Sequence, residues 1–376
     1  MKVEEIKAKS ILRKRKRIDS WFISCYGMNF YRGCTHNCVY CDGRSEKYYV
    51  NGNFGKEVQV KKNAIEVLEK ELEKDKNFNG DFKKGFIMLG GGVGDSYQPA
   101  EKKYNLTKKA LELFLDYNVP IHILTKSNLI ERDIDLLKEI NKKSKVIVSM
   151  SFSSVNEEIS SIFEPGVPTP KERLNVLANF KKAGISCGMF LLPVIPFVTD
   201  KPFLIDEANK RAKEINLDYV IFGGMTLKEG RQKDYFMNVL EKHYPDLIAN
   251  YENIYKGDEW GNATTEYYDS INDSFSFISR KYGINKRIPS HLFKDFLEEN
   301  DLVSVILDQI DYLLRLKREK SPYGYASHSI SQLDKPVSSM KYNLRKINGV
   351  GQVTEKIIWE ILNTGTCKYY ERLLEG

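Results

Sequence analysis

The chain has no apolar run long enough to cross a bilayer, and its first residues are basic where a secretory leader would carry an apolar core. A cytoplasmic protein with no membrane partner is therefore expected. Cysteine is scarce, six in 376 residues with three in one loop, which fits a reducing compartment better than a disulfide framework. Internal repeats are lacking too, which excludes solenoids and propellers. What is present is an ordinary globular balance, 41% hydrophobic and 29% charged, in a chain long enough for two or three domains.

Charge is distributed unevenly. The formal net charge is +7, and residues 1–17 alone carry eight Lys and Arg against two Glu. The run Arg13, Lys14, Arg15, Lys16, Arg17 reads either as a solvated, frayed terminus or as an electrostatic footprint for phosphates.

The most informative segment is RGCTHNCVYCDGR, which places Cys34, Cys38 and Cys41 at C-x3-C-x2-C spacing. Thiolates select zinc or iron with sulfide. A structural zinc site wants four ligands, usually as two separated pairs, so a zinc loop here would need His36 or another cysteine to complete it. Cubane clusters are generally held by four thiolates. Three thiolates leave one iron open to a small molecule.

Downstream, apolar β-branched runs alternate with helical patterns, as in a parallel sheet built from βαβ units. Strands are predicted near residues 21–26, 85–90, 120–125, 145–152, 185–193 and 218–224, the cluster loop following the first. Ile65, Leu68 and Leu72, then Leu106, Ala110, Leu113, Phe114 and Tyr117, recur at helical spacing and mark core faces. Six such pairs predict an α/β fold, a partial (βα)6 TIM barrel over 21–230 after a basic arm at 1–20, with reactive groups at the C-terminal strand ends.

A helical extension is expected over 231–317, with Leu302, Ile306, Ile310 and Leu313 on one apolar face. Its many aromatics read as core rather than a base-stacking platform. Residues 318–340, rich in Ser, Pro and Gly, read as a linker to a small module at 341–376.

The cysteine loop, with Tyr40 just before its third cysteine, resembles the motif of the radical S-adenosylmethionine (SAM) superfamily. That resemblance implies a 4Fe-4S cluster whose open iron chelates SAM, and whose electron breaks a C–S bond to release a 5′-deoxyadenosyl radical. The cofactor carries the chemistry while the protein binds, orients and shields. From Tyr31 to Gly224 the chain also resembles the spore photoproduct lyase-like branch, through Thr125-Lys126-Ser127 and GDSYQPAEKKYNLT at 94–107.

The resemblance implies that Gly90, Gly91 and Gly92, at the end of the second barrel strand, meet the SAM amino group, where no Cβ stands in the way; a tight turn is the other reading of three glycines. Lys126, Ser127, Ser151 and Ser153 are candidate partners of the SAM ribose or carboxylate, or else caps and solvated polar groups. Tyr40 would shield the cluster and lie against adenine.

In the lyases a cysteine at the end of that strand donates hydrogen to the product radical, and Gly90 stands in its place here. Cys187 is a candidate replacement if it faces the barrel interior; Cys25 is read as packing, a hydrogen donor or a spare ligand. An electron donor of the ferredoxin or flavodoxin type is implied.

Residues 343–365 resemble a helix-hairpin-helix module with Gly349 and Gly351 flanking Val350, and the residues that follow are similar to the N-terminal module of X-family DNA polymerases. Leu344, Ile347, Ile357, Ile358 and Ile361 would form its core. Such a hairpin holds a phosphate on backbone amides; the alternative is a helix pair used only for packing. The expected activity is radical chemistry on DNA, with RNA or a protein as alternative substrates, and a non-enzymatic nucleic-acid-binding protein with a zinc loop as a further alternative.

Overall fold

The computed structural model describes residues 2–48, 50, 52–75, 85–91 and 93–375. In chain order the strands are β1 (Lys2–Ile6), β2 (Leu12–Asp19), β3 (Ser24–Met28), β4 (Tyr31–Arg32), β5 (Glu57–Lys61), β6 (Phe86–Leu89), β7 (Ile121–Thr125), β8 (Val146–Phe152), β9 (Ser186–Val194) and β10 (Tyr219–Gly224). The large sheet runs β10-β9-β8-β7-β6-β3-β2. Its six strands from β3 to β10 pair in parallel, and β2 closes the edge antiparallel to β3. This is the expected partial (βα)6 barrel.

Side-chain alternation divides the sheet into two faces. Ile87, Leu89, Ile121, Ile123, Val146, Val148, Met150, Met189, Val220 and Phe222 share one core with the helices that cover the outside. Phe86, Ile147, Phe190, Tyr219 and Ile221 share another, inside the barrel, with residues 288–374. The helix Glu299–Leu316 fills that interior with Leu302, Ile306, Ile310 and Leu313, each buried side chain contributing about 1.5–3 kcal/mol.

Three expectations change. The basic arm is not frayed: residues 12–19 form β2, ordered by pairing Arg13 with Gly27 and Lys14 with Tyr26. The first barrel strand starts at Ser24 because the Asp19 carboxylate accepts from the Trp21 and Phe22 amides, turning the chain. Residues 318–340 are not a plain linker: the helix Tyr323–Ile330 buries Tyr323, Ala326 and Ile330 in the inner core. Leu344, Ile347, Ile357, Ile358 and Ile361 join that same core, so the final residues share their interior with the barrel.

The interior also holds a polar chain. His122 contacts the Phe22 carbonyl through Nδ1 at 2.9 Å and the Ser149 hydroxyl through Nε2 at 2.8 Å, and Ser149 meets the Tyr219 hydroxyl at 2.6 Å. Burial pushes the His122 pKa down to about 4, against the opposing effect of the Phe22 carbonyl. The folded protein thus keeps His122 neutral where the unfolded chain, with a pKa near 6.5, binds a proton. Stability is full above pH 6.5 and lost as pH falls toward 4, by about 2 kcal/mol at pH 5. Urea unfolding at pH 7 and pH 5 should show this loss in the wild type and a smaller one in His122→Gln.

Candidate active site

The cysteine loop leaves β4 and ends in a short 3-10 helix at Asp42–Arg44. Its shape is dictated by bonds that come from elsewhere in the barrel. The Gln98 amide donates to the Gly33 carbonyl at 3.0 Å and accepts from the Thr35 amide at 3.2 Å. The Val39 amide donates to the Phe163 carbonyl at 2.8 Å, and the Gly166 amide to the His36 carbonyl at 3.1 Å. Arg44, buried between Tyr235 and Phe54, donates through Nε to the Cys38 carbonyl at 3.1 Å and through Nη2 to Asn37 Oδ1 at 2.6 Å.

So held, Cys34, Cys38 and Cys41 line one cavity of about 390 Å³ at the C-terminal strand ends, within the range that accommodates small molecules and cofactors. Tyr40, Gly91, Asp95, Thr125, Lys126, Ser151, Leu192 and Thr226 line it as well. Phe22 joins them, its ring stacked on Phe190 at 5.4 Å.

Burial pushes all three thiols up, Cys38 to about 12, although Lys126 draws Cys38 and Cys41 the other way. A bound metal deprotonates such thiols outright. Among the described residues no three His, Cys, Asp or Glu side chains converge on one ion. A cubane spreads its thiolates over separate irons, so the tripod suits a cluster better than zinc. His36 does not complete a zinc set: its Nδ1 lies 3.0 Å from the Gly166 carbonyl and its Nε2 3.2 Å from Asp95.

Under the cavity wall lies a buried ionic network. Glu164 accepts from the Tyr40 hydroxyl, from Arg173 Nη2 and, at 3.0 Å, from Ser160, with Lys126 Nζ at 3.4 Å. Burial alone would raise the Glu164 pKa; the Arg173 and Lys126 cations and the Tyr40 bond prevail and hold it at about 2. Lys126 Nζ also donates to Ser151 Oγ at 2.6 Å and sits 5.6 Å from the Tyr40 ring centre. Asp95 accepts from Thr125 Oγ1 at 2.7 Å and from the Lys126 amide at 2.9 Å. Burial would raise its pKa, but His36 and the amides of Lys126 and Tyr97 keep it below the ordinary carboxylate range.

The structure thus brings Cys34, Cys38, Cys41, Tyr40, Gly91, Lys126 and Ser151 to one cavity. Ser127 is placed elsewhere: its hydroxyl accepts from the Leu129 amide as the cap of a 3-10 helix. Ser153 is buried behind the wall, its amide directed at Glu164. Gly92 lies outside the described residues. Gly90 adopts φ +78°, and a Cβ there would come 2.1 Å from the Leu124 carbonyl oxygen, so this backbone excludes a cysteine.

Cys187 does not replace it. Strand alternation turns Cys187 into the outer, helix-facing core, where it is fully buried and directs Sγ at the Ile185 carbonyl. Cys25 packs against Gly85, which matches the packing reading. Sequence reasoning missed Glu164, Arg173, Arg44 and Gln98; Arg44 closes the quoted cysteine segment and Gln98 lies in the 94–107 stretch, whereas Glu164 and Arg173 are single charged residues brought in by folding.

The terminal hairpin has a different construction from the one expected. Its first helix is a 3-10 segment, Val337–Lys346, kinked at Lys341. Gly349, at φ +85°, lies against the Ala326 backbone, where a Cβ would come within 2.7 Å of the amide nitrogen. Gly351 precedes the helix Gln352–Thr364 and stays exposed with Gln352 and Val353.

A parallel half-barrel with three thiols lining one cavity at the carboxyl ends of its strands has the construction of a barrel enzyme, with its site where the loops converge. Residues 28–208 match the radical SAM superfamily model. An uncharacterized protein of Mycobacterium tuberculosis is 31% identical over 235 residues, covering 61% of this chain and 67% of the relative. One of Methanocaldococcus jannaschii is 31% identical over 60% of this chain and 80% of its own. Spore photoproduct lyase complexed with dinucleoside spore photoproduct shares the fold, at TM-score 0.55 and 16% identity over 74% of this chain and 79% of the other. The chain belongs to the radical SAM superfamily, whose cofactors are a 4Fe-4S cluster and SAM.

Proposed function

We propose that Cys34, Cys38 and Cys41 hold the cluster, and that the enzyme abstracts hydrogen from a nucleotide of DNA to repair or modify a base. One observation carries the reading: the three thiols share a single cavity with Lys126, Ser151 and the side-chain-free Gly91. When bound, cluster and SAM supply the radical. The chain's own residues bind and orient: Lys126 offers its ammonium to the SAM carboxylate, Ser151 a hydroxyl, and Gly91 an approach free of Cβ. Tyr40, pinned by Glu164, separates the thiols from the polar interior. Leu124, Leu192 and Phe22 make the opposite surface apolar, which limits water.

DNA is supported by charge and by kinship. Arg13, Lys14, Arg15, Lys16 and Arg17 are all exposed on β2, and among the described residues Arg15 alone of the five forms an ion pair, with Asp19 at 3.1 Å. They lie on the strand beside β3, which leads through β4 to the cysteine loop. Gly349 and Gly351 offer a second, sequence-independent phosphate contact at the exposed helix start. The lyase of similar fold was solved with a dinucleoside photoproduct. The protein would act in the cytoplasm with a ferredoxin- or flavodoxin-like donor.

The test is to incubate reconstituted protein with SAM, a reductant and irradiated or undamaged DNA carrying deuterium on the bases and sugars. Deuterium in 5′-deoxyadenosine or recovered SAM supports hydrogen abstraction from DNA; its absence, with turnover only on RNA or protein, transfers the activity to those substrates. Binding to duplex DNA should fall steeply with salt, and the slope should drop by about one for each β2 cation removed. Deleting 341–376 is a poor probe, because it strips Ile358, Ile361 and Leu374 from the common core.

A further inference from the structure

Two exposed aromatic residues lie on segments fastened to the wall of the cavity, and the mechanism above uses neither. Trp260 is 58% exposed and Tyr48 39%. Trp260 sits on a turn wound around Asp258, whose carboxylate accepts from the Trp260 and Asn262 amides at 2.9 Å each, while its carbonyl accepts from Gly261. The turn is fastened to the cavity wall: the Leu227 amide donates to the Gly261 carbonyl at 2.7 Å, next to the lining residue Thr226. Gly261 approaches so closely that a Cβ would come 2.4 Å from the Leu227 carbonyl carbon.

Lys47 reaches over the indole with Nζ 4.4 Å from the ring centre, held there by the Glu259 carbonyl at 2.6 Å and paired with the Glu259 carboxylate at 3.3 Å. Tyr48 follows it in the chain and directs its hydroxyl at Asp42, also a lining residue, at 3.2 Å. One face of the indole therefore carries a cation, and the side chain remains largely open to solvent. An exposed indole whose turn is held in place by hydrogen bonds suits the flat face of a nucleobase, on which it can stack.

A base within a duplex is out of reach of a buried reactive centre and must be turned out of the helix. We propose that Trp260, flanked by Lys47 and Tyr48, is the platform on which a nucleobase stacks as it leaves the duplex for the cavity. This rests on the DNA reading and specifies how the enzyme selects an extruded or already distorted nucleotide.

The experiment compares the affinity of the full chain for two short duplexes that differ only in one central position, an unpaired base in one and an abasic gap in the other. The wild type is expected to prefer the unpaired base. Trp260→Ala should lose that preference by roughly tenfold, the effect of removing one base–aromatic stack. Trp260→Phe should retain most of it, and Phe277→Ala, which removes an exposed ring from the outer helix Thr265–Tyr282, should behave as wild type.

An unchanged preference in Trp260→Ala, or equal binding of both duplexes by a wild type that does bind DNA, overturns the platform while leaving the DNA reading intact. No binding of either duplex overturns both.

Discussion

Replacing Cys34, Cys38 and Cys41 with alanine, singly or together, is expected to abolish 5′-deoxyadenosine formation from SAM and to remove bound iron and sulfide. Each thiol occupies its own wall position in a loop that other residues have already shaped, through Gln98, Arg44 and the amide of Val39. The backbone should therefore survive the substitution. Among the described residues, His36 Nδ1 lies against the Gly166 carbonyl, Asp95 accepts from Thr125 and Lys126, and Cys25 and Cys187 are packed away from the cavity. Iron analysis after anaerobic purification, with 5′-deoxyadenosine measured by mass spectrometry, checks both halves. Undiminished product from the triple variant would reject the cluster assignment, and stoichiometric zinc without iron would replace it with a structural metal.

The second large effect is expected at Arg173. Its guanidinium is fully buried, donates to the Ser151 carbonyl and to Glu164, and lies 4.6 Å from the Phe152 ring. Arg173→Met leaves a buried carboxylate with Lys126 as its remaining cation, and breaking such a pair costs about 3–5 kcal/mol. Urea unfolding should register that loss.

Glu164→Gln in the same background should restore part of it, because the unpaired charge is gone; the two substitutions share a partner and will not add. A positioning role predicts more than lost stability. Lys126 and Tyr40 both take their placement from Glu164, so Glu164→Gln should raise KM for SAM, at temperatures where the protein is still folded, more than it lowers kcat. An unaltered KM would reduce Glu164 to a structural residue.

Much of this architecture could be read from residue order. The five parallel strands from β6 to β10 coincide with apolar runs, because a strand buried on both sides has no polar face to interrupt it; β3, with Ser24 and Gly27 and only alternate residues buried, was displaced toward the apolar run before it. The cysteine spacing identified the loop because three thiols within eight residues stay together when the segment folds, and all three line the cavity. β2 escaped detection because its five basic side chains are exposed and only its backbone pairing makes it a strand. β1 and β5 escaped for a similar reason, being short, charged and paired across fifty residues.

The side on which a cysteine falls was a different kind of question. Cys187 lies on a correctly predicted strand, yet its register with β8 and β10 directs it outward, and a one-residue shift would have reversed that.

By itself the sequence determined the half-barrel, the position of the cysteine loop after its first strand, and the class of cofactor, since all three follow from local pattern and spacing. Tertiary structure alone decided that Gly90 cannot carry a side chain, that Glu164 and Arg173 stand behind Tyr40 and Lys126, that the terminal hairpin shares the barrel's interior, and that the turn bearing Trp260 is fastened beside Thr226. These depend on contacts between residues tens to hundreds of positions apart, and such contacts exist only once the chain has folded.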